Sequence, residues 1–140
     1  MTWHILTILK NLYGPELNDE KIRETLSFPI NKKLAQIGDS VLDLILLVSE
    51  YRNPSSEPKS MDDLRKKEGK KRTNQKLLKK DYELTQFLLN SDYEQNSQSI
   101  IGRERSDAYM EAIIGAIYLT KGLYEAKKFV KVVYGLNILE

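Results

Sequence analysis

Four carboxylates stand out by where they sit. Asp39 and Asp43 lie four residues apart within Gly38-Asp39-Ser40-Val41-Leu42-Asp43, and Asp107 and Glu111 repeat that spacing further along the chain. Residues four apart share a face of a helix, so each pair would present two carboxylates together. Glu111 is the most conspicuous, because from Ala108 to Leu119 it is the only charge among eleven apolar or small residues. An ionised carboxylate in such a helix needs a cation, strong donors or a metal, since burial without partners is costly enough to protonate it. Ala108, Ala112, Gly115 and Ala116 leave small surfaces where a second backbone can approach. If the two helices pack together, Asp39, Asp43, Asp107 and Glu111 converge on an all-oxygen site, which suits Mg²⁺ or Mn²⁺ rather than zinc. Plainer alternatives stand beside this reading. Asp39 and Glu111 can pair with Arg103, Arg105 or a Lys, Asp107 can serve as a first-turn acid at a helix N-terminus, and Asp43 can be a surface residue.

Other chemistries are closed off by composition. The 140 residues include no Cys and a single His, His4. Disulfides, thiolate zinc sites, cysteine nucleophiles and histidine-cluster metal sites are therefore excluded, and a Ser-His-Asp triad would rest on His4 alone. An enzyme built from this chain must use carboxylates, Lys, Tyr or a hard metal ion. The length matches one domain with a sizeable core, and 41% apolar with 30% charged residues is a globular composition. No run of about eighteen apolar residues is there to span a bilayer, and Met1 to Lys10 lacks the features of a secretion signal. A cytoplasmic protein with no membrane attachment is expected.

The net charge of +2 hides an uneven distribution. Residues 59–80 hold ten of the 22 Lys and Arg against three of the 20 acids, so the remainder is net acidic. A concentrated positive stretch on an otherwise acidic chain is a footprint for a polyanion, through release of counterions from phosphates. A solvated face of charged helices is the bland alternative.

The elements that must position these groups are helical nearly throughout. Thr2 caps a first helix over Trp3 to Leu12 with Ile5, Ile8 and Leu12 on one face, ended by Tyr13-Gly14-Pro15. Asn18 or Asp19 caps a second up to about Ser27, stopped by Phe28-Pro29. Asn31 opens the longest, roughly Lys32 to Tyr51, whose main stripe is Leu34, Ile37, Val41, Leu44, Ile45 and Val48. Leu42, Leu46 and Leu47 make a second apolar side, so this helix is central and covered on more than one face. A loop follows over Asn53 to Pro58. Ser60 with Asp63 then resembles a capping box for a basic helix, Gly69 breaks it, Thr73 restarts it, and a further helix spans about Asp81 to Leu89. The polar stretch from Asn90 to Arg105 reads as a connection. Ser106 caps an apolar helix to about Lys121, Gly122 ends it, and an amphipathic helix runs from Leu123 to Val133. No strand pattern and no repeat appear, which predicts an all-α class with seven or eight helices in one compact domain over residues 1–140.

Two stretches carry a resemblance. Leu34-Ala35-Gln36-Ile37-Gly38-Asp39-Ser40-Val41-Leu42-Asp43-Leu44 resembles the signature helix of the ribonuclease III domain, usually Leu-Glu-Phe-Leu-Gly-Asp-(Ala/Ser)-Val-Leu. Glu111-Ala112-Ile113-Ile114-Gly115-Ala116-Ile117-Tyr118-Leu119 resembles its closing motif, Phe-Glu-Ala-Leu-Ile-Gly-Ala-Ile-Tyr-Leu. They come in the family's order, about seventy residues apart, with a Lys-rich segment and Asn74 between them. The resemblance covers residues 1 to 135, the middle only in general character. It departs from the family at Ala35 and Ala108, where the usual pattern has Glu and Asp, and at Gln36, which replaces an aromatic that helps lock the family's dimer. Leu-Ala-Gln-Ile-Gly-Asp and Gly102-Arg103 are similar to the compact Mini-III branch, which works with a reduced acidic set.

The resemblance implies a homodimeric, Mg²⁺-dependent endonuclease cutting double-stranded or structured RNA, with rRNA maturation suggested by the compact branch. Asp39 and Glu111 fall on two of the family's acidic positions, and Asp107, one residue from a third, is placed to compensate for Ala108. No sequence remains for an appended RNA-binding domain. Affinity is then expected from the catalytic domain itself, through Lys66, Lys70, Lys71 and Arg72 of the basic segment and through Arg103 and Arg105. The competing expectation, motivated by Ala35 and Ala108, is a ribonuclease-III-like RNA-binding or assembly module that has lost cleavage. A third is a helical interaction protein whose Lys run is only a solvated face.

Overall fold

The computed structural model describes residues 5–17, 19–25, 32–52, 72–74, 76–77 and 107–135, and every regular element among them is a helix. These are α1 (Ile5–Tyr13), α2 (Glu20–Thr25), α3 (Lys32–Arg52), α4 (Asp107–Lys121) and α5 (Leu123–Val133), with further helical residues at 72–74 and 76–77. The all-α class is thereby shown. The Thr2 and Asn18 caps, the Asn53 to Pro58 loop, the Ser60 and Asp63 box, the Asp81 to Leu89 helix and the connection over residues 90–105 lie outside the described residues.

Helix α4 is the axis of the core. Ala108, Tyr109, Met110, Ala112, Ile113, Ile114, Ala116 and Ile117 are all buried, so this segment is enclosed for more than two turns except at the half-buried Glu111. It packs most extensively against α3, and also against α5 and α2. Its polar end emerges at Tyr118 and Leu119, both exposed. The α3–α4 crossing is unusually close because each helix places a glycine in it. A Cβ added to Gly38 would lie 1.6 Å from the Glu111 carbonyl oxygen, and one added to Gly115 would lie 2.2 Å from the Leu34 carbonyl oxygen. Backbone meets backbone at both points, an approach that only residues without a side chain allow.

On α3 the face turned to the core is Leu34, Gly38, Val41, Leu42, Ile45, Leu46 and Ser49. This corrects the expected stripe: Leu44 is exposed, Ile37 and Val48 are half-buried, and Leu42 and Leu46 are fully enclosed. The buried face is centred between the two expected apolar sides, joining Leu34, Val41 and Ile45 of the main stripe to Leu42 and Leu46 of the other, with Gly38 at the crossing. Helix α1 shows a smaller rotation of the same kind, burying Ile5, Leu6 and Leu9 with Ile8 and Leu12 only partly covered.

The ends of the short helices have local causes. Asp19 caps α2, its Oδ1 accepting from the Ile22 N–H at 3.1 Å. Gly122, at φ +93°, separates α4 from α5 and allows a sharp reversal there. Arg72 and Thr73 are both helical, so that helix does not start at Thr73 as the sequence suggested. At the far end of α4, Thr120 spends its one hydroxyl proton on the Ala116 carbonyl at 2.7 Å. The 2.6 Å contact from Tyr13 must then be donated by the tyrosine, which ties α1 to α4.

Candidate active site

The glycine crossing decides which carboxylates meet. Gly38 rests on the Glu111 backbone, so Asp39, the next residue of α3, is carried to the same level as Glu111 on α4. Both carboxylates are half-buried at the surface of the crossing. Tyr134, which closes α5 with its N–H on the Val130 carbonyl at 3.0 Å, reports their proximity. Burial is the main cause that pushes its phenol well above the ordinary value, and the Glu111 and then the Asp39 charges add to it. One side chain therefore senses both carboxylates.

A fourth residue joins from the helical residues at 72–74. Asn74 is fully buried, and the Tyr134 hydroxyl donates to its Oδ1. Its Nδ2 is the one buried side-chain polar atom among the described residues that has no partner. The sequence pointed to Asn74 only as an Asn between the two motifs. Tyr134 carried no signal at all, since an aromatic one residue past an amphipathic helix reads as packing.

The other expected site residues are placed as follows. Asp107 is the first residue of α4, one turn before Glu111. Asp43 is half-buried one turn beyond Asp39 on α3. Among the described residues no three potential ligands gather to hold a metal ion, so Asp39, Asp43 and Glu111 do not form such a set. Ala108 is buried, and the position has no space for a larger acid without repacking. Arg72 is exposed, whereas Lys66, Lys70, Lys71, Arg103 and Arg105 lie outside the described residues.

This donor set has a definite chemistry. Two carboxylates with no His or Cys ligand beside them among the described residues are what Mg²⁺ and Mn²⁺ accept, because such ions keep several waters and take one or two protein carboxylates plus substrate phosphate. The unpartnered amide next to the pair is consistent with an oxygen ligand completing the site. The residues present therefore fit a hard divalent cation.

A second surface is formed by residues of the same two helices. A groove of about 580 Å³ is lined by Lys33, Gln36, Ser40, Leu44 and Tyr118, among others. Leu47 and Tyr51 extend its apolar border along α3, 57% and 87% exposed.

A family model described as ribonuclease-III-like matches residues 18–136, and the chain belongs to that family, one of endoribonucleases acting on structured RNA. No curated protein and no solved structure matches it. No helix among the described residues is long and apolar enough to cross a membrane.

Proposed function

We propose that this chain is a metal-dependent endoribonuclease that hydrolyses phosphodiester bonds in double-stranded or structured RNA, with Asp39 and Glu111 holding Mg²⁺ or Mn²⁺. The observation that supports the reading is the close Gly38 and Gly115 crossing of the helices that carry these two carboxylates, whose charges both act on the half-buried Tyr134. A divalent cation there supplies a more acidic water and stabilises charge on the scissile phosphate and its leaving oxygen. The protein's own part is positional. The rigid crossing fixes the two carboxylates, and Asp107 at the start of α4 adds a third acid within one turn of Glu111. Lys66, Lys70, Lys71, Arg72, Arg103 and Arg105 engage phosphates, while the A-form duplex is read by shape and 2′-hydroxyls. Affinity to the compact Mini-III branch, and with it a substrate such as precursor rRNA, belongs to this proposal.

The active form is a homodimer formed through the groove at Gln36 and Leu44. Leu44, Leu47, Tyr51 and Leu119 are exposed large hydrophobic residues of these two helices, the kind of surface that a second copy would cover. A two-fold axis there would set two carboxylate sites against the two antiparallel strands of a duplex.

Incubation with long double-stranded RNA, with and without Mg²⁺ or Mn²⁺, tests the reading. Cleavage should require the metal and should disappear in Asp39→Asn and in Glu111→Gln, with the helical circular dichroism unchanged. Both substitutions keep volume and remove charge. Full cleavage by both variants would sink the assignment. Binding of RNA without cleavage in the wild type would instead favour the non-cleaving module, to which Ala35 and the enclosed Ala108 already incline.

A further inference from the structure

Tyr134 and Asn74 come from elements distant in sequence and meet where the Glu111 and Asp39 charges act on the tyrosine, and neither belongs to the two motifs. Their hydrogen bond is lopsided. The tyrosine hydroxyl uses the amide oxygen of Asn74, while the amide nitrogen, with two protons to donate, finds no acceptor although the side chain is fully buried. A buried donor left in this state is destabilising, and folded proteins tolerate it where a ligand or water satisfies it in the working state. The nitrogen shares its amide plane with the oxygen that Tyr134 holds, so the hydroxyl determines where the donor points.

We propose that Asn74 and Tyr134 are positioning residues of the Asp39 and Glu111 site: the Tyr134 hydroxyl locks the Asn74 amide, whose free nitrogen donates to a water oxygen held with the cation between the carboxylates. The inference rests on the metal-binding reading above and names residues that reading does not use. Size decides for water over RNA as the acceptor. Asn74 has no exposed surface, so a phosphate embedded in a polymer cannot reach it, whereas a single water can. Outer partners of this kind orient what the carboxylates bind and typically change metal affinity by about 10- to 100-fold when removed.

The test is a Mg²⁺ titration of the full chain read in two ways. In ¹⁵N-labelled wild-type protein, the assigned side-chain amide signals of Asn74 should move as Mg²⁺ is added, and should stay still in Asp39→Asn. By calorimetry, Tyr134→Phe should weaken Mg²⁺ and Mn²⁺ binding by about tenfold or more. Tyr13→Phe, the same chemical change at a tyrosine remote from the carboxylates, should leave metal affinity unaltered. Metal affinity is the deciding quantity, because a merely structural role for Tyr134 would lower thermal stability and leave that affinity intact. Wild-type protein that binds Mg²⁺ while the Asn74 signals do not move, or a folded Tyr134→Phe with wild-type metal affinity, overturns this inference and leaves the metal site standing. Should Tyr134→Phe fail to fold, the amide signals of the wild type decide alone. No Mg²⁺ binding by the wild type overturns both.

Discussion

Two tyrosines act on the two halves of α4 with similar chemistry and opposite consequences. Tyr13 donates to Thr120 near the helix's C-terminal end, and Tyr134 donates to Asn74 beside Glu111 in its N-terminal half. Each phenol is raised above its ordinary value, chiefly by burial. The acceptors differ. Thr120 passes its own proton to the Ala116 carbonyl, so that chain of bonds is complete and closes on the backbone. Asn74 keeps an unpartnered donor, so the other chain ends on an unused N–H, at a tyrosine on which two carboxylate charges act. A finished network fastens α1 to the core, while an unfinished one in the same helix marks where a ligand belongs.

The strongest way to break this contrast is to destroy the crossing that one end depends on and the other does not. Gly38→Ala would gain up to about 1 kcal/mol from helix propensity alone. Its Cβ would, however, fall 1.6 Å from the Glu111 carbonyl oxygen, a backbone atom that cannot turn aside. Overpacking of this kind costs about 1–3 kcal/mol and sometimes more, so the contact wins and the expected sign is a loss. Chemical denaturation should show a lower midpoint, and RNA cleavage should fall with it. A stabilised variant would show that the helices do not cross so closely.

Alkaline unfolding sharpens the comparison without touching the backbone. A phenol whose folded pKa lies above its unfolded value of about 10 binds its proton more tightly in the native state. The stability it contributes is complete below pH 10 and is lost as pH rises from there towards the folded value. Tyr134 is shifted upward with two carboxylates contributing, and Tyr13 with only Asp19. Tyr134→Phe should therefore flatten the fall in denaturation midpoint above pH 10 more than Tyr13→Phe does. Tyr109, raised by burial alone, supplies a common background in both variants.

The smallest effect is expected at the closed end. Tyr13→Phe removes one hydrogen bond whose acceptor stays satisfied through Ala116, and should cost about 0.5–1.5 kcal/mol. Thermal melting should register that loss while the rate of RNA cleavage at saturating Mg²⁺ stays at the wild-type level. A large drop in cleavage by this variant would erase the distinction between the two ends.

What was legible beforehand follows the same division between local and tertiary causes. Helix α5 runs over Leu123–Val133 as its amphipathic spacing and the flanking glycines indicated, and α3 begins at Lys32. The enclosure of α4 followed from a segment with one charge in twelve residues. Asp19, one of two candidate caps, does cap α2 because its carboxylate reaches the third residue's N–H, a matter of three adjacent peptides. Leu44 lies on the main apolar stripe of α3 and is nevertheless exposed, for a reason no window of sequence contains: the buried face joins Leu34, Val41 and Ile45 of that stripe to Leu42 and Leu46 of the second side, as the close crossing with the partner helix requires.

The sequence by itself determined the helical class, the family, and the presence of two carboxylates in segments where carboxylates are expensive. Their meeting could be posed only as a condition, since it depends on whether α3 and α4 pack. The tertiary structure decided that they do, at two glycines seventy-seven residues apart whose missing side chains bring the backbones together. It also brought in Asn74 and Tyr134, sixty residues apart, by a hydrogen bond that neither residue's neighbours foretell. Propensity and periodicity act over one or two turns of chain, whereas a buried donor left waiting beside two carboxylates exists only once three separate segments have been packed against one another.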